Sequence, residues 1–99
     1  GFEINDPSSD LGVAISILSS LKNIPPLANS SFIGELGLSG QVRKSNNLRT
    51  KIEEAARLGI KNIVVPKLDE EINNNFKNSI NIKEISNIKE AVDYSLLNY

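Results

Sequence analysis

The run Asp10–Leu21, DLGVAISILSSL, constrains the fold more than any other stretch of this chain. At helical spacing Leu11, Ala14, Ile15, Leu18 and Leu21 form a stripe, and Val13 and Ile17 widen it beyond one face. A helix apolar over so much of its circumference is expected to be buried on most sides, within layers of other elements. Gly12 and Ser16 would let one of those elements approach closely. The preceding DPSSD supplies start signals: Asp6 as N-cap, Pro7 at the first helical position, and Asp10 as a negative charge in the first turn.

The rest of the chain supplies candidate layers. FEI, ending at Asn5, is a short strand candidate. GFEIN reads as the inside of a strand, so a fragment lacking its first strands is expected. KNIPPLANSS is a loop, because Pro25 and Pro26 exclude regular structure. SFIGEL and GQVRK read as two strands meeting at the glycine-spaced GLSG, as in a hairpin. Asn46 or Asn47 then caps a helix with Leu48, Ile52, Ala55 and Ala56 inside and Arg49, Glu53 and Arg57 outside. Gly59 is its natural C′ stop. IKNIVVPK is a buried-strand candidate bounded by Pro66, INIKEI alternates as a strand, and NIKEAVDYSLLNY is an amphipathic helix. The polar segment LDEEINNNFKNS, around 68–79, is expected to be less ordered. The order β-α-β-β-α-β-(α)-β-α predicts a single α/β sandwich with a mixed sheet over residues 1–99.

Composition narrows the chemistry. The 99 residues include no histidine and no cysteine. The usual general base, proton shuttle and commonest transition-metal ligand are therefore missing, along with disulfides and thiolate metal sites. No stretch approaches the ~20 apolar residues of a membrane span, and no signal peptide is visible. Net charge is −1, yet Arg43, Lys44, Arg49, Lys51, Arg57, Lys61 and Lys67 stand between residues 41 and 67 against only Glu53 and Glu54. This basic middle is a candidate phosphate-contacting surface, with a subunit interface or a solvated helix face carrying a Glu53–Arg57 pair as alternatives. Aromatic residues are absent from it, which argues against a stacking platform for single strands. The glycines at 34, 37 and 40 lack a following Gly-Lys-Ser/Thr and read as hairpin turns. Asp69, Glu70 and Glu71 form a charge run expected to be solvated, and no metal site is expected.

Ser8 admits two readings. Serine is common at helix starts, where its hydroxyl satisfies free N–H groups. As a nucleophile it would need a base, and without histidine that base must be a lysine whose pKa burial has lowered.

DPSSDLGVAISILSSL, FIGELGLSGQVR and LRTKIEEAARLGIKNIVVPK together resemble the Lon-protease-like C-terminal domain of the RadA (Sms) family of bacterial DNA repair proteins. The resemblance runs from about Asn5 to Lys67, and more loosely through INIKEISNIKEAVDYSLL. It implies a Lon proteolytic-domain-like α/β sandwich. Lon proteases hold their serine in a GPSAG turn and their lysine after GGL. DPSSD puts Ser8 at the nucleophile position, NNLRTK puts Arg49 at the base position, and Asp6 and Asp10 replace glycines. A guanidinium cannot be deprotonated in a protein, so Arg49 cannot accept the serine proton. Lys51 lies about 200° round the helix from Arg49, and Lys44 falls in a surface loop.

The resemblance therefore implies a relic site at Ser8 and Arg49 and no enzymatic activity in this chain. It implies a cytoplasmic parent protein, an ATP-dependent motor processing recombination intermediates, whose ATP, Mg2+ and Zn2+ belong to upstream domains. It also implies a homo-oligomeric ring, a hexamer, acting on duplex or branched DNA and on no membrane. Arg43, Lys44, Arg49, Lys51 and Arg57 are the expected DNA contacts. Two alternatives stand beside this reading: an active Ser–Lys peptidase using Ser8, and a purely structural oligomerisation module.

Overall fold

The computed structural model describes residues 10–97. The expected strand at 2–4, the Asp6 cap, Pro7 and Ser8 lie outside the described residues. In chain order the elements are α1 (Asp10–Lys22), β1 (Ser30–Phe32), β2 (Glu35–Leu36), β3 (Val42–Arg43), α2 (Leu48–Arg57), β4 (Asn62–Pro66), α3 (Glu70–Phe76), β5 (Asn81–Ile85) and α4 (Ile88–Val92), which continues as a π-helical turn, Asp93–Leu97.

β4 is the centre. Its NIVVP is a continuous apolar run, as a strand covered on both faces requires, and Ile63, Val64 and Val65 are wholly buried. β1 and β5 flank it, both parallel to it, with Ser31 opposite Ile63 and Ile63 opposite Ile82. Alternation along β4 sends side chains to two separate cores. Ile63 and Val65 join Leu48, Ile52 and Ala55 of α2, with Ile72 and Phe76 of α3 packed against them. Val64 joins Leu11 and Ile15 of α1 and Ala91 of α4, together with Ile85 and Leu96. The protein is a small α/β domain in which parallel and antiparallel pairing both occur, the antiparallel pair being β2 with β3.

SFIGEL does not form one strand. It breaks at Gly34, where a Cβ would stand 2.7 Å from Val42 Cγ1 and 3.4 Å from Pro66 Cδ. The SSF half enters the parallel sheet, and the EL half turns into the expected hairpin, with Leu36 opposite Val42. The hairpin is also fixed to the segment that joins β5 to α4: Val42 donates to the Ser86 carbonyl at 2.9 Å and Ile88 to the Gly40 carbonyl at 2.8 Å.

α2 matches its sequence signals. Leu48, Ile52 and Ala55 are buried, and the N-cap is Asn47, in the left-handed region at φ 61° and without a side-chain cap bond. Its end is a Schellman motif: Gly59 (φ 84°) donates to the Ala56 carbonyl and Ile60 to the Ala55 carbonyl, at 3.1 and 3.0 Å. Arg57 pairs with Glu54 three residues away, not with Glu53 as expected; on a helix both spacings bring side chains together.

α1 departs from expectation. Leu11 and Ile15 are buried, but Val13, Ile17 and Leu21 are 39%, 55% and 78% exposed. Sheet and α4 cover one side of the helix, and no described element covers the other. Gly12 is not a site of forced approach either, since a Cβ there would meet the Phe32 carbonyl oxygen at an ordinary 3.5 Å. The polar segment around 68–79 carries α3, whose Ile72 and Phe76 explain why it is helical: they give it an apolar side.

Candidate functional site

Strands that run parallel and are joined by helices collect helix N-termini at their carboxyl ends, where ligands of α/β proteins bind. α1 begins there, its Leu11 N–H donating to the Gly34 carbonyl at 3.2 Å. Asp10 reaches across to the hairpin, its carboxylate accepting a long 3.4 Å bond from Leu36 N–H. α2 begins there after Asn47, and α3 after Asp69, the N-cap that follows β4.

Of the five expected DNA contacts, three gather at this end. Arg43 closes β3 and is exposed, Lys44 follows it, and Arg49 lies in the first turn of α2. Both Lys44 and Arg49 face acid at the start of α3, from its N-cap and its first turn. Lys44 Nζ stands 2.7 Å from Asp69 Oδ1, and an Arg49 guanidinium nitrogen 3.8 Å from Glu71 Oε2. These side chains are 40% to 81% exposed, so water screens both pairs.

The other two contacts are placed elsewhere. Lys51 lines an open cleft with Phe32, Ile33, Glu54, Leu58 and Ile60. Arg57 is at the opposite end of α2, roughly 12 Å along the axis from Arg49, by the 1.5 Å rise per residue. The five expected contacts are therefore not one patch: Lys44 and Arg49 share the acidic start of α3, Arg43 adjoins Lys44 in sequence, and Lys51 and Arg57 lie elsewhere. Ser8, the other half of the expected relic site, lies outside the described residues.

Sequence reasoning missed the partners. The acidic run at 69–71 was visible, but nothing local says that a segment 25 residues beyond Lys44 returns to it. Ser45 was also missed. It lies between Lys44 and the α2 cap, 9% exposed, with no hydrogen-bond partner for its hydroxyl among the described residues. No group of three or more His, Cys, Asp or Glu side chains among the described residues is placed to hold a metal ion. No described helix is long and apolar enough to cross a membrane.

Comparison with known proteins gives the class. The family model described as subunit ChlI of Mg-chelatase matches residues 3–69, and the chain belongs to that family. Similar proteins carry the name DNA repair protein RadA. The one from Listeria monocytogenes is 35% identical over 96 residues, covering 97% of this chain and 21% of its own length. Those from Streptococcus pneumoniae and Rickettsia bellii are 45% and 42% identical over 67 and 80 residues, covering 68% and 81% of this chain and 16% and 18% of theirs. The chain spans about a fifth or less of the length of these relatives.

Proposed function

We propose that this chain is a non-proteolytic, Lon-like scaffold domain of a RadA-type DNA repair and recombination ATPase, assembling into a ring and contacting DNA. The observation that carries the DNA half is the similarity to proteins named DNA repair protein RadA along 97% of the chain at 35% identity. Arg49 supports the non-proteolytic half. It holds a permanently charged group facing Glu71, and such a group takes no proton from a serine. In this reading the parent protein is cytoplasmic and hexameric, and ATP, Mg2+ and Zn2+ act in domains outside this chain. DNA is met through Arg43, Lys44 and Arg49 at the carboxyl end of the sheet, with Lys51 and Arg57 as flanking contacts. Such contacts are to phosphate, so they are insensitive to sequence and weaken steeply with salt.

The test is titration of a short duplex with the chain at low and moderate salt, beside Arg43→Ala/Arg49→Ala. Binding that falls with salt and weakens in the variant supports the reading. Equal binding by both proteins moves the contact elsewhere, and no binding favours the structural module. Incubation with an unstructured protein substrate addresses the peptidase alternative: cleavage that disappears in Ser8→Ala would overturn the non-proteolytic assignment.

A further inference from the structure

We infer that Asp69 and Glu71 form an acidic clasp that competes with phosphate for Lys44 and Arg49, setting how tightly this domain holds a polyanion. The inference rests on the proposed DNA contact and adds a control to it. Lys44 and Arg49 come from the approach to α2 and its first turn; both find their carboxylates on one short turn of α3, at 2.7 and 3.8 Å. The intervening Glu70 makes no ion pair among the described residues, so the turn does not simply pair every acid it has. Asp69 has no capping duty to explain its orientation: it is the N-cap of α3, yet its side chain makes no cap bond there and hydrogen-bonds Lys44 instead.

The chemistry makes the exchange feasible. A phosphodiester carries one negative charge on two oxygens, as a carboxylate does, and can occupy the same donors of an ammonium or a guanidinium fork. The clasp is weak because it is exposed, with side-chain exposures of 49% and 68% for one pair and 40% and 81% for the other. An incoming strand can therefore displace it without opening the core.

The test compares two double variants of equal charge. Asp69→Asn/Glu71→Gln releases both cations. Glu70→Gln/Asp93→Asn removes the same two charges but leaves Lys44 and Arg49 paired, since Asp93 partners Lys89. At low salt the first variant is expected to bind a short duplex on the order of threefold to tenfold tighter than the unaltered chain, as two exposed pairs allow. The second is expected to gain clearly less, and Lys44→Ala/Arg49→Ala in the first variant to abolish its gain. Equal gain in the two double variants would reduce the effect to net charge and overturn the clasp, as would no gain in either. Elution from heparin carries the same comparison without DNA: later elution of the first variant than of the second keeps the clasp, and equal elution removes it. Absence of duplex binding by every version removes the DNA reading by itself.

Discussion

Two glycines that look alike in sequence behave oppositely in space. Gly34→Ala would drive a methyl into the Val42 side chain at 2.7 Å, between the parallel sheet and the hairpin. Overpacking of this kind costs about 1–3 kcal/mol, and a lowered urea midpoint measures it. Among the described residues Gly12→Ala meets nothing closer than 3.5 Å inside a helix, and alanine is favoured there by up to about 1 kcal/mol. The midpoint should hold or rise. The sequence offered Gly12 as the point of close approach because it lies on an apolar helix. The constraint is at Gly34, which a local pattern could not reveal, since the obstructing residue comes from the other arm of the hairpin. Arg49 shows the reverse balance. Its incapacity as a base was legible from residue type alone, whereas its facing Glu71 was not, because that contact depends on where α3 lands.

At the scale of elements, α1 is the informative case. Its length of apolar pattern announced a helix, and a helix is there, but pattern alone cannot count neighbours. Truncating opposite sides separates the two pictures. Leu11→Ala empties a wholly buried position and should cost about 2–5 kcal/mol, while Leu21→Ser acts at a site 78% exposed and should lie within about 0.5 kcal/mol of neutral. Thermal unfolding of the two variants checks this, and a large loss at Leu21 would mean the helix is enclosed. α2 was legible almost completely, because its inner stripe, its asparagine cap and its glycine stop are all local signals. α3 was not: EEINNNF is a poor helix by composition, and only the partial burial of Ile72 and Phe76 against the core of Ile63, Val65 and α2 selects it. Surface ion pairs add little to any of these elements. Lys44→Ala should change stability by less than about 1 kcal/mol, leaving its effect on polyanion binding readable.

For the whole molecule, the main test is mass in solution. A ring-forming scaffold predicts a hexamer in solution, as measured by light scattering. A monomer at every concentration would sink the ring. The layered α/β class followed from element order, but not the strand order, because pairing in a parallel sheet has no local turn to announce it. That same absence governs how the chain reaches its fold. Neither ladder of the main sheet is closed by a tight turn: Ser31 must find Ile63, and Ile63 must find Ile82, each across a segment that holds a helix. Two loops must close before the central strand is hydrogen-bonded on both sides, so folding should take milliseconds to seconds instead of microseconds. Until then NIVVP, the stretch best suited to hiding, is the one most exposed to other chains.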